Sequence, residues 1–373
     1  MTNQTSRRGV RTATSHIEPS GSRRNSLGPM RRSSMPRVLT PVVTALMIAG
    51  LSGVPVAAAV PLSAADWARP APAVDSGKPF PEVLRLPNGF SPEGIAIDKH
   101  KAVAYTGSVV DGSIQRIDLR TGVAKQFAPS PGPHKMASGM DIDRFGRLWV
   151  AGGGDAFVPG TITSFRVYDT KTGALLADVT VPDAAYLNDV TVTRDAAWLT
   201  DSLRPAFIRV PIAANGTIGA PRRVALGGDW AQTSTGFNAN GIDATPDGRH
   251  LIVAQSQAAD GHSAFYLVPT SAARTADARR ITLHGTVDAS DGLQLIGRTL
   301  YVANPTGVVK INLSRSLTAG QVLGATKAPG AAFPSAAKAF GCRLYVVDAN
   351  FGENFSNVGN PAAEFKVVTI PLP

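Results

Sequence analysis

A single cysteine, Cys342, stands in a chain of 373 residues, so no internal disulfide staples the fold and stability has to come from a packed core. That one thiol and six scattered histidines supply no redox centre, and they argue against zinc. Neither Gly-x-Ser-x-Gly nor His-Glu-x-x-His occurs, which removes the serine-hydrolase and zinc-protease readings. No run of apolar residues at helical spacing appears after residue 66, so a helical solenoid is excluded. What is abundant is punctuation: 37 glycines and 28 prolines in a chain that is 43% hydrophobic describe short strands joined by turns.

The net charge of +10 is concentrated at the front, where residues 1–37 carry eight arginines against Glu18. The remainder is close to balanced and has no basic stripe with interleaved aromatics, so nucleic acid is not expected as a partner. Residues 38–65 follow the Arg-rich lead with an apolar stretch that ends in small residues, the pattern of a signal peptide cut after Ala59 or Ala65. Pro41, Gly50, Gly53 and Pro55 break a spanning helix, and no membrane anchor is expected to remain after cleavage. Arg23-Arg24 and Arg31-Arg32 keep the twin-arginine route open beside general secretion, and Met30 or Met35 could be the true start. The expectation is a secreted or cell-surface monomer comprising residues 66–373.

From Pro79 onward the chain repeats a unit: a polar residue, an alternating strand, a turn and a second strand. Glu93-Gly-Ile-Ala-Ile-Asp98, Ser138-Gly-Met-Asp-Ile-Asp143, Asn188-Asp-Val-Thr-Val192, Asn240-Gly-Ile-Asp243, Asp291-Gly-Leu-Gln-Leu295 and Pro334-Ser-Ala-Ala-Lys338 open six such units. Their starts lie about 43 to 52 residues apart, the length of a four-stranded blade, which predicts an all-β, six-bladed β-propeller in one domain. In that architecture the opening strands line a central channel. Glu93, Ser138, Asn188, Asn240, Asp291 and Ser335 would then converge at one mouth as a ring of oxygen donors. Two carboxylates and two amides with no sulfur or imidazole form a site for calcium, and less readily for magnesium, manganese or zinc.

Pro92-Glu93-Gly94, Leu187-Asn188-Asp189, Ala239-Asn240-Gly241 and Ser290-Asp291-Gly292 resemble the metal-site motifs of the SMP-30/gluconolactonase/lactonase family over most of residues 80–350. Gly236-Phe-Asn-Ala-Asn-Gly241 resembles exported bacterial members of that group. The resemblance implies a calcium-dependent hydrolase of a lactone or ester. It makes Glu93, Asn240 and Asp291 metal ligands, Asn188 a bridge between metal and substrate, and Asp291 the general base. His134 is a weaker candidate for a proton shuttle and Ser138 for a further ligand, while Arg204 and Trp230 fall in loops that could rim the mouth. The alternative is a non-catalytic binding module with a structural calcium. Asp141-Ile-Asp143 with Gly146, and Pro246-Asp247-Gly248, are read as turns.

Overall fold

The computed structural model describes residues 79–155, 157–158, 161 and 163–372. The Arg-rich lead, the apolar stretch and both expected cleavage points lie outside the described residues. Among those described there is no α-helix, only strands and a single 3-10 turn at Glu353–Phe355.

The strands form antiparallel meanders, each opened by a polar-headed strand: Pro92–Asp98, Ala137–Ile142, Leu187–Val192, Ala239–Ala244, Leu293–Ile296 and Pro334–Phe340. Hydrogen bonding does not keep six sheets separate as the repeat predicts. It joins the strands into five, of four, eight, five, four and four strands. The eight-stranded sheet arises because Arg222–Gly228 pairs in parallel with Thr275–Arg280, from Ala225 opposite Thr275 to Gly228 opposite Ala278, which fuses two meanders along their outer edges. The five-stranded sheet gains Thr282–His284, paired in parallel with Ala319–Thr326. The last sheet contains both ends of the described chain, since Val83–Arg85 pairs with Lys366–Pro371.

Burial falls from the inside of each meander outward, and the sequence follows it. Second strands such as Val103–Ser108 and Ala196–Asp201 are buried along their whole length and open on apolar runs, Val103-Ala-Tyr105 and Ala196-Ala-Trp-Leu199. Fourth strands such as Leu175–Thr180 are largely exposed. The core lies between consecutive meanders. Ala96 and Tyr105 of the first pack on Met140 and Val150 of the second, and Trp149 and Phe165 of the second pack on Leu199 and Ile208 of the third. The series ends with Ile95 and Ala104 packed on Tyr345 and Val347 of the last. Opening strands accordingly lie beside one another in chain order, and Pro334–Phe340 returns beside Pro92–Asp98.

Candidate functional site

In five opening strands the register slips at the same place: between Pro92 and Ile95, Ala137 and Met140, Leu187 and Val190, Ala239 and Ile242, and Pro334 and Ala336. A β-bulge frees one residue from the ladder and re-aims its side chain, and here that residue is Glu93, Ser138, Asn188, Asn240 or Ser335. The next residue is glycine at Gly94, Gly139 and Gly241, and Gly292 likewise follows Asp291, whose strand carries no such slip. A Cβ at any of the four would run into the following opening strand, at Ser138, Asp189, Asp291 or Ala336 respectively. Glycine therefore permits the close approach that draws these strands together. A cavity of ≈ 10 Å³ remains, lined by Glu93, Asp189, Asn240, Asp291 and Lys338 among others, which is room for a single water-sized body.

Hydrogen bonds fix which end of each amide faces inward. The Ser202 hydroxyl donates to Ala239 O at 2.7 Å and so accepts from Asn188 Nδ2 at 3.0 Å. The Ser256 hydroxyl donates to Ser290 O at 2.7 Å and accepts from Asn240 Nδ2 at 2.9 Å. Both amide nitrogens are thereby tied, and neither Oδ1 has a partner among the described residues. Ser138 and Ser335 are used differently: their hydroxyls donate to Asn188 O at 2.6 Å and Glu93 O at 2.7 Å, joining one meander to the next. If the amide oxygens are cation ligands, Ser202→Ala and Ser256→Ala should each weaken calcium binding about 10-fold, beside a loss of about 1–3 kcal/mol in cation-free stability as a backbone carbonyl and an amide lose their partner. Calorimetric titration checks this.

The carboxyls are crowded. Burial first, then the neighbouring Asp291 and Asp189, hold Glu93 well above its ordinary range. Burial and Asp189 push Asp291 up to about 8, against a hydrogen bond from Asn240 that lowers it. Protonation or a cation must relieve such a pair, and an all-oxygen set of two carboxylates and two amide carbonyls suits a hard divalent cation. Among the described residues no three His, Cys, Asp or Glu side chains cluster tightly enough to hold a metal by themselves, so the amides would be integral to any cation site.

Below the ring lies a second polar layer that sequence reasoning missed. Asp141, Asp189 and Asp243 each accept from the backbone N–H of the next residue and from an N–H of the following opening strand: Val192 at 2.8 Å, Ile242 at 3.1 Å and Leu295 at 2.6 Å. Lys338 reaches in beside them and donates to Leu293 O at 3.0 Å. Burial would lower the lysine, but Asp243, Asp189 and Asp141 outweigh it and hold the ammonium above its ordinary range. Burial in turn raises Asp141 and Asp189 to about 6 despite Lys338. One signal was available: Asp189 stands where four other units carry glycine.

The remaining candidates lie elsewhere. His134 pairs with Asp155 at 2.7 Å on the surface and bonds to no ring residue. Arg204 donates to Asp183 O, and Trp230 bonds Gln232 and packs on Tyr266. The loops just above the ring instead carry apolar residues. Met136, Tyr186, Phe237 and Phe333 precede ring positions by two or three residues and join one cluster with Phe157 and Phe351.

No family model and no curated protein sequence matches this chain. Solved structures do. The major allergen Mala s 1 of Malassezia sympodialis aligns with a TM-score of 0.59 at 16% identity, covering 78% of this chain and 96% of its own. A gluconolactonase from Xanthomonas campestris aligns at 0.51 and 18%, covering 81% and 99%. A luciferin-regenerating enzyme aligns at 0.52 and 14%, covering 78% and 94%. At these identities the likeness shows the fold alone, an all-β fold of the gluconolactonase-like propeller type.

Proposed function

We propose that the chain is a six-bladed propeller, the fused sheet being two blades joined at their edges, and that its channel holds one calcium ion on Glu93, Asn188, Asn240 and Asp291 for hydrolysis of a lactone or ester. The observation that carries this reading is the pinning of both amide nitrogens by Ser202 and Ser256, which leaves two carbonyl oxygens free beside two strained carboxyls. Bound there, the ion would supply Lewis acidity toward the substrate carbonyl. Asp291 would take a proton from the attacking water as its oxygen joins the carbonyl carbon, and return it to the departing alkoxide when the C–O bond breaks. Asn188 would orient the carbonyl, and its Ser202 bond would keep it from turning. The names of the gluconolactonase and the luciferin-regenerating enzyme agree with a hydrolase on this fold. The Arg-rich and apolar N-terminal segments support export, and peptide mapping of the mature N-terminus in the culture medium tests that. The near-neutral charge beyond residue 37 argues against nucleic acid.

A second reading, a binding module with a structural cation, is favoured by the smallness of the cavity. Hydrolysis of a lactone and ester panel by chelated protein, before and after calcium is restored, separates the two: calcium-restored turnover supports the hydrolase, and bound calcium without turnover rejects it.

The same titration has a pH signature. Glu93 and Asp291 bind protons more tightly when folded than unfolded, so the cation-free protein loses stability as pH rises from the ordinary carboxylate range toward about 8. Calcium displaces those protons, and its affinity should rise by up to about tenfold per pH unit for each proton released. The increase in melting temperature on adding calcium should therefore be larger at pH 8 than at pH 5.5. Equal increases would mean that these carboxyls are not the ligands.

A further inference from the structure

The aromatic cluster above the ring is drawn from alternate meanders. Phe157 lies in a loop of the second, Phe237 on the entry to the fourth and Phe351 in a loop of the last. Their rings nevertheless meet: Phe157 is 6.2 Å from Phe237 and 5.2 Å from Phe351. Because opening strands follow one another in a closed circuit, side chains from three alternate meanders can meet at one end only by crossing the axis. The cluster is therefore a roof over the ring. Its outer face is open to solvent and apolar, with Phe355 stacked on Phe157 at 4.3 Å and 48% exposed, beside Val158 at 47%. Among the described residues no charged side chain lies against the face of a ring in this roof, and the cation–π contacts gather around Phe145, Trp149 and Trp198.

We infer that this roof recognises an apolar substituent of the substrate, so that the ring acts on lactones or esters bearing an alkyl or aryl group rather than on polyhydroxylated sugar lactones. The inference rests on the hydrolase reading for its chemistry, but its binding surface stands on the roof's geometry. The cavity at the ring holds only a water-sized body, so a substrate whose carbonyl reaches Asp291 and Asn240 has to pass between these rings and lie against them. An alkyl chain gains affinity there in proportion to the area it buries. A sugar hydroxyl left without a partner loses about tenfold or more.

The test uses two hydrolysis-resistant probes, pyrrolidin-2-one and 5-hexylpyrrolidin-2-one, titrated calorimetrically into the full-length purified protein in saturating calcium. The hexyl lactam should bind at least about 50-fold more tightly, given about fourfold per buried methylene over several methylenes. Phe237→Ala should cut that preference to about 5-fold or less. Phe355→Ala, at an exposed position where folding is not at stake, should reduce it by a smaller factor. Calcium affinity should be unchanged in both variants. Equal binding of the two lactams, or a preference that survives both substitutions, would overturn the inference. Tight hexyl-lactam binding together with no turnover of the matching γ-decalactone would leave the roof's role standing and sink the hydrolase reading instead.

Discussion

Asp291→Ala is expected to abolish turnover and, without calcium, to melt at a higher temperature than the parent at pH 8. The two effects have one origin. Asp291 is buried beside Asp189 and raises Glu93 in turn, so at pH 8 the folded state holds carboxylates that water would solvate better. Removing one relieves the others, and a gain of about 2–4 °C is expected for a domain of this size. Activity should move the opposite way if Asp291 is the ligand and base proposed above: a fall of about 1,000-fold in kcat/KM is then expected. Calcium binding should weaken about 100-fold as ligand charge is lost. Scanning calorimetry with and without calcium, beside lactone hydrolysis, measures all three. A variant less stable than the parent in the absence of calcium would show that Asp291 is held by favourable contacts, and would count against its role as a strained ligand.

Lys338→Met should be the most damaging single change to the fold. The ammonium faces Asp141, Asp189 and Asp243, and no residue among those described replaces its charge in that layer. Removing it leaves three half-buried carboxyls with backbone N–H partners but no counter-charge, at a cost of about 3 kcal/mol at pH 8. The sign with pH is fixed by the partners. Asp141 and Asp189 already stand near 6, and losing Lys338, which lowers both, raises them further. Below pH 5 they are protonated in the variant and need no counter-charge, so urea denaturation should show the deficit shrinking toward zero as pH falls from 8 to 5. A deficit independent of pH would assign Lys338 a packing role instead. Met keeps most of the side-chain volume, which isolates the charge.

Why the ring was legible and the layer beneath it was not follows from local sequence. Glu93-Gly94, Ser138-Gly139 and Asn240-Gly241 repeat a polar residue followed by glycine because each bulge needs both, one side chain to aim and one missing Cβ to let the neighbouring strand in, and Asp291-Gly292 keeps the same pair without the bulge. That requirement is met within two residues, so it is written in two residues. Lys338, by contrast, closes Ser335-Ala-Ala-Lys338, which is indistinguishable from the solvated end of a strand. Its burial depends on Asp141, Asp189 and Asp243, up to about 200 residues away in the chain. The opening strands were placed to within one or two residues, as Glu93–Asp98 against the observed Pro92–Asp98 shows. The fusion of two meanders was invisible because a parallel pair between outer strands, Ala225 with Thr275, is set by how two finished meanders lie and not by either sequence. Phe157, Phe237 and Phe351 were missed for a related reason. Each is a lone aromatic among glycine, proline and asparagine, and the cluster exists only once three loops meet.

The pairing of Val83–Arg85 with Lys366–Pro371 sets a timetable for folding. Among the described residues the first strand needs the last as its partner. Consecutive meanders can stack as they form, since each interface joins sequence neighbours, but the interface between Ile95 and Tyr345 has no second half until the last meander is present. A growing chain is therefore an open arc that exposes two unsatisfied apolar faces, and it becomes a closed circuit in one late step. Deleting the last six strand residues should accordingly do more harm than their own burial predicts, because it would leave every earlier interface without the constraint that locks the circle.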